Sequence, residues 1–159
     1  MPEIEIRPAI SSDLPALIKF DHSVDTTHVW QMDSSSDVDQ IEVKFREIRL
    51  PRAVMLNYPR NSADLADTWT RKNLFLVAAV QNQPVAYLTI EIEQTFTARV
   101  VDLVVTRSAR KQGIASALIL AARDWAGQRG IRRMVLETQA KNHAMIQLAR
   151  KLGFEFCGF

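Results

Sequence analysis

Apolar and polar positions alternate in Ile4-Glu5-Ile6-Arg7, the period of a half-buried strand. Ser11-Ser12-Asp13 then offers helix N-caps, and Leu14, Leu17, Ile18 and Val24 follow at helical spacing. Ser34-Ser35-Ser36-Asp37 forms a second capping cluster. Ile41, Val43, Phe45, Ile48 and Leu50 come after it with charges between them, so a helix is expected over 37–49, stopped by Pro51. Residues 53–58 read as extended, and a short helix is expected over 64–71. The clearest β region comes next, with apolar runs at 74–80, 85–93 and 99–105. The connections are short, so the three runs predict an antiparallel meander.

The period then changes. Ile114, Ala117, Leu118, Ala121, Ala122 and Trp125 recur every three to four residues, predicting an amphipathic helix over 113–128 with Gly130 placed to end it. A strand is expected at 133–137 and a helix at 142–152, with Gly153 at the C′ position. Phe154-Glu155-Phe156-Cys157 reads as the start of a further strand. The sum is an α+β protein, a three-layer arrangement of a mixed, mostly antiparallel sheet flanked by helices.

The chain has 159 residues, 47% apolar and 24% charged, which suits one globular domain spanning 1–159. No apolar run reaches the ~20 residues of a membrane helix. The acidic start, Met1-Pro2-Glu3-Ile4-Glu5, lacks the features of a signal peptide. Cys157 is the only cysteine, which excludes an internal disulfide and suits a reducing cytoplasm. His22, His28 and His143 show no metal-type spacing, so no metal is expected.

Charge is unevenly spread. Residues 1–106 hold 15 acids against 10 bases, whereas residues 107–151 hold 10 bases against two acids. All five glycines also follow residue 112. A basic, glycine-bearing segment suggests an anionic ligand. Arg110-Lys111-Gln112-Gly113-Ile114-Ala115-Ser116 lies between an apolar strand and an amphipathic helix. Such a turn leaves free N–H groups at the helix N-terminus, a site suited to a diphosphate. Its spacing is neither a Walker loop nor a dinucleotide fingerprint. Nucleic acid is a weaker reading, because the only aromatic residue in the basic segment, Trp125, sits at core spacing.

Arg110-x-x-Gly113-x-Ala115 after residues 100–105 resembles the R/Q-x-x-G-x-G/A acetyl-CoA signature of the GCN5-related N-acetyltransferase (GNAT) family. Ile6-Arg7-Pro8-Ala9 with Asp13-Leu14-Pro15-Ala16-Leu17 resembles that family's first strand and helix. Asn142 with Lys151-Leu152-Gly153-Phe154 resembles its N-x10-G-F segment, and the order of elements agrees over nearly the whole chain. Phe20-Asp21-His22, Val29-Trp30-Gln31-Met32 and Leu50-Pro51-Arg52 are similar to the streptothricin-acetyltransferase-like branch.

The resemblance implies transfer of an acetyl group from acetyl-CoA to an amine, by direct attack in a ternary complex and without a metal. It implies a splayed strand pair at the cofactor site. The backbone of Leu103, Val104 and Val105 would pair with the pantetheine arm and supply an oxyanion donor. Arg110 and Lys111 would add positive charge. Gln112, Gly113, Ile114, Ala115 and Ser116 would cradle the pyrophosphate, and Asn142 would reach the pantetheine or cap a helix. The acceptor would be a cationic amine drawn to the acidic half, with His28 and Trp30 either contacting it or packing.

Two departures stand out. The family's thiolate-protonating tyrosine falls at Ala149 here, leaving Tyr58, Tyr87 or Cys157 as other proton sources; each also reads as packing. The family's closing strand has no counterpart before Phe159, so a bare edge or a partner's strand is expected, and a homodimer fits. Asp102, ahead of Glu91 and Glu93, is the carboxylate nearest the expected thioester and the first candidate for general base. Its alternative is an ion pair without chemistry. A non-catalytic acyl-CoA-binding module is the rival reading.

Overall fold

The structure, a computed structural model, describes residues 3–93 and 96–159; the first two residues of the acidic start, Met1 and Pro2, lie outside these. Its elements are β1 (Ile4–Pro8), α1 (Leu14–Ile18), β2 (Val24–Ser36), β3 (Ile41–Leu56), α2 (Leu65–Thr68), β4 (Leu74–Val80), β5 (Gln83–Glu93), β6 (Thr97–Val105), α3 (Ile114–Gln128), β7 (Arg133–Leu136) and α4 (His143–Lys151). The backbone packs as two units. One comprises Met1–His22 with Pro59–Glu137, the other Ser23–Tyr58 with Thr138–Phe159. No described helix is long and apolar enough to cross a membrane.

The first unit holds a five-stranded sheet in the order β1-β4-β5-β6-β7. Every pairing is antiparallel except β6 with β7. Leu74 to Ala79 of β4 are buried at every position, so both faces of this central strand are covered. α3 lies against β1, β4, β5 and β6, and α1 lies against β5. Ile114, Leu118, Ile119 and Ala122 of α3 meet this sheet as its apolar stripe. The sheet is thus mixed, mostly antiparallel and flanked by helices, as the sequence predicts.

β6 pairs with β7 only from Thr97↔Arg133 to Val100↔Leu136 and then runs on to Val105. Its other edge is paired with β5 throughout, with a shift between Thr89 and Ile90 that leaves Val101 as the extra residue of a bulge.

The second unit departs from expectation. Residues 37–49 are not a helix. They open a 16-residue strand, β3, that pairs antiparallel with the 13-residue β2. Ile41, Val43 and Phe45 are spaced by two, and that alternation prevails over the capping cluster. The turn closes on Asp37, whose N–H donates to the Gln40 carbonyl at 2.7 Å and whose carboxylate accepts from the Val38 N–H. Val24 likewise begins β2 rather than continuing α1. Pro51, which lacks an N–H, falls where the pairing is interrupted, between Arg49 opposite His28 and Val54 opposite Thr26.

α4 lies against β2 in this unit and ends as predicted, with Gly153 at φ +80° and the Phe154 N–H returning to the Ala149 carbonyl at 2.9 Å. The expected strand at residues 154–157 is absent among the described residues. The chain there runs without a ladder partner, and the Phe156 and Phe159 rings sit 4.8 and 5.9 Å from Phe45. Cys157 is exposed there, so it is not core filler.

One ion pair fixes the entry to α1. Asp13 is buried and takes both guanidinium nitrogens of Arg7 at 2.7 and 2.8 Å, plus the Ile10 N–H at 2.9 Å. Arg7, through these hydrogen bonds, holds the Asp13 carboxyl below the usual carboxylate range. Its contribution is therefore complete above the unfolded value near pH ~4 and is lost as pH falls through the lower folded value. Asp13→Asn is expected to cost about 2–3 kcal/mol near neutrality by leaving a partly buried charge unpaired, and to flatten the acid limb of stability against pH. Urea unfolding of both proteins between pH 3 and 7 checks this.

Candidate active site

The parity of the β5–β6 ladder decides which groups of β6 face which edge. The Thr106 N–H donates to the Val85 carbonyl at 2.9 Å, so Thr106 and Val85 are a hydrogen-bonded pair. Such pairs alternate along an antiparallel ladder. Val104 opposite Tyr87, and Asp102 opposite Thr89, are therefore also turned toward β5. The N–H and C=O groups of Leu103 and Val105 face the other edge, which β7 leaves open. An extended ligand can add to this edge as a strand would. Of the three residues expected there, Leu103 and Val105 present their backbone to it and Val104 does not.

The strand then passes through a 3-10 turn, Arg107–Ala109, into a tight loop. Lys111 has φ +61° and Gly113 has φ +81°, the left-handed region that glycine enters without penalty. Gly113 is the N-cap of α3 and brings no side-chain hydrogen bond to it. The first helical bond runs from the Ala117 N–H to the Gly113 carbonyl at 3.0 Å. The N–H groups of Ile114, Ala115 and Ser116 precede it and have no partner from the helix. A Cβ placed on Gly113 would enter open space. Free donors, the helix dipole and an unfilled approach suit a diphosphate.

Side chains brace this loop. Arg110 donates from Nε to the Val105 carbonyl at 2.9 Å and from a terminal nitrogen to the Asp21 carbonyl at 3.3 Å. Arg107 meets the Asp21 carboxylate at 2.5 Å. Gln112 donates to the Ser108 carbonyl at 3.1 Å. Arg110, the first residue of the sequence signature, thus ties the loop to the end of β6. Lys111 is exposed, and Ser116 is half-buried on the first turn of α3.

Asp102 is buried. It accepts from the Arg60 Nε at 3.0 Å and from the Thr89 hydroxyl at 2.6 Å, and Arg60 also donates to the Val101 carbonyl at the bulge. The remaining carboxylate candidates are also paired, Glu91 with Lys72 and Arg99, and Glu93 with Arg99. Tyr87 is fully buried with its hydroxyl 2.9 Å from His22 Nε2. His22 Nδ1 lies 2.7 Å from the Phe20 carbonyl and donates to it.

In the second unit Asn142 caps α4, its side-chain oxygen accepting the Met145 N–H at 3.1 Å. Sequence reasoning missed the grouping of His28, Glu47 and His143, whose ligand atoms lie within 4.8 Å of one another. The signal was present in the alternation of residues 41–46, which pairs β3 with β2 and puts Glu47 opposite Trp30.

A sequence profile of the acetyltransferase (GNAT) family matches residues 41–154. No curated protein sequence matches significantly. Among solved structures, the chain is similar to nourseothricin acetyltransferase at 21% identity and TM-score 0.83, covering 98% of this chain and 85% of that one. It is similar to a Bacillus anthracis protein designated a streptothricin acetyltransferase, in complex with acetyl coenzyme A, at 21% identity and TM-score 0.76, covering 98% and 86%. The aminoglycoside N-acetyltransferase AAC(6')-Iy, with a CoA bisubstrate analogue of neamine, follows at 16% identity and TM-score 0.67, covering 99% and 94%. At these identities the likenesses establish the fold.

Gly113→Glu would place a carboxylate among the α3 donors and put a side chain on a left-handed residue, a strain of about 1–2 kcal/mol. Calorimetric titration with acetyl-CoA is expected to show binding at least tenfold weaker than wild type. Ser116→Ala should lose one hydroxyl donor, about 1 kcal/mol or some fivefold in affinity.

Proposed function

The chain belongs to the acetyltransferase (GNAT) family, and from that premise we propose that it acetylates a cationic primary amine by direct attack within a ternary complex. The acetyl donor is acetyl-CoA, whose thioester supplies the activated acyl group. The observation that carries the reading is the continuity of two backbone donor sets. The open edge of β6 at Leu103 and Val105 leads through eight residues into the free N–H groups of α3. An extended amide-bearing arm suits the first set and a diphosphate the second.

Residue roles follow from direction. The N–H groups of Ile114, Ala115 and Ser116 bind the diphosphate, with the Ser116 hydroxyl and Lys111 in support. Leu103 hydrogen-bonds the pantetheine arm, and the Val105 N–H polarises the thioester carbonyl and holds its oxyanion. Arg110 occupies the Val105 carbonyl and ties the loop to the end of β6. Val104, turned toward β5, packs beneath this edge. Asn142 organises the start of α4 through its side-chain oxygen.

Asp102 serves as a positioning residue. Arg60 and Thr89 hold its carboxylate in place beside the bulge. The amine attacks as its free base, and positioning supplies most of the rate. The thiolate is a competent leaving group, which fits alanine at position 149. The excess of acids over residues 1–106 supports a cationic acceptor. So does the company of structures named for nourseothricin, streptothricin and an aminoglycoside.

Thiol release from acetyl-CoA, followed against a panel of cationic amines, tests the reading. Intersecting initial-velocity lines are expected, with acceptor KM rising as salt is added. Parallel lines would mean an acetylated enzyme, and no turnover with any amine would leave a binding module. Asp102→Asn is expected to lower stability and kcat while leaving the acid limb of the pH–rate profile in place. Loss of that limb would make Asp102 the base.

A further inference from the structure

Within the second unit, three metal-ligand side chains converge from three elements. Cross-strand pairing places Glu47 opposite Trp30, and His28 lies two residues from Trp30 on the same face of the β2–β3 hairpin. α4 lies against β2, brought there in part by the Trp30 N–H donating to the Ala140 carbonyl at 2.9 Å. This seats His143, the first residue of α4, over that face. The His28 and His143 rings stack at 4.9 Å and 27°, and His143 Nε2 is 3.7 Å from a Glu47 oxygen. The ligand atoms of all three residues lie within 4.8 Å of one another.

We propose that His28, Glu47 and His143 bind one divalent transition-metal ion of the zinc class. The polar accounting of the cluster supports an occupant. His143 Nδ1 is buried without a hydrogen-bond partner, and its Nε2 stands beyond hydrogen-bond reach of Glu47. The Trp30 indole N–H, opposite Glu47, is buried and unpartnered as well. By contrast, His28 Nδ1 is 2.9 Å from the Thr27 hydroxyl, the arrangement that orients a ligating imidazole and leaves Nε2 to coordinate.

Two imidazoles and a carboxylate form a borderline N/O set. Such a set selects zinc, cobalt, nickel or copper over calcium and magnesium, and three protein ligands leave a coordination position open. Donors around a tetrahedral zinc stand roughly 3.4 Å apart, so separations of up to 4.8 Å need to contract by up to about 1.4 Å. Glu47 is exposed and free to supply that movement by changing rotamer. The ion would staple the hairpin to α4.

The test uses untagged protein stripped with a chelator and then titrated with Co2+ or Zn2+ alone. One ion per chain is expected, with the visible bands of tetrahedral cobalt bleached by zinc and the melting temperature raised by zinc. Glu47→Gln, an exposed near-isosteric change, and His143→Ala should each weaken binding tenfold or more and abolish the melting shift. No saturable binding below about 0.1 mM Zn2+ would overturn the proposal. So would wild-type affinity in the His28→Ala/His143→Ala double variant, which would place the ion elsewhere.

Discussion

Backbone N–H and C=O groups demand partners, and the first unit depends on where the sheet stops supplying them. β7 ends at Leu136, opposite Val100, while β6 continues to Val105. The exposed rung is held in shape from its other side. The Val101 bulge, the Arg60 bonds to Asp102 and Val101, and the Thr89 hydroxyl on Asp102 all fix β6 against β5 just before the open stretch. Past that stretch Arg110 occupies the Val105 carbonyl, and the chain turns at Gly113 into a helix whose first donors have no internal partner. In the proposed reading the chemistry is carried mostly by main chain. That explains how side chains as plain as leucine, valine and alanine can line an acyl-transfer site.

The same dependence explains what was legible in the sequence. The meander, α3, β7 and α4 follow from hydrophobic period and from glycine punctuation, both of which are local in the sequence. The turn into α3 was also legible, since Gly113, at φ +81°, reports a backbone need directly. The hairpin was not. Ser34 to Asp37 reads equally well as a cap or a turn, and only the two-residue spacing of Ile41, Val43 and Phe45 separates the two readings. Once β3 pairs with β2, the choice is made by a long ladder rather than by local propensity.

Side-chain roles were the least legible. The sequence suggests that Arg110 adds positive charge to the turn, and the structure adds its bond to the Val105 carbonyl. The sequence offers Asp102 as a base or as an ion-pair member, and the structure places Arg60 and Thr89 on it. Neither fact has a sequence signature, because both depend on partners 42 and 13 residues from Asp102 or on the direction of a single peptide plane. Likewise His28, Glu47 and His143 are scattered along the chain and become neighbours only through strand register and the seating of α4. Edge-strand direction and register are global properties, whereas a turn or a cap is local.

The most direct measurement is hydrogen exchange of backbone amides with and without saturating acetyl-CoA. Leu103 and Val105 should become protected together with Ile114, Ala115 and Ser116, while Val104, already turned to β5, should change little. Protection of the α3 amides with no change at Leu103 and Val105 would contradict the central claim that the open edge of β6 receives the acyl donor.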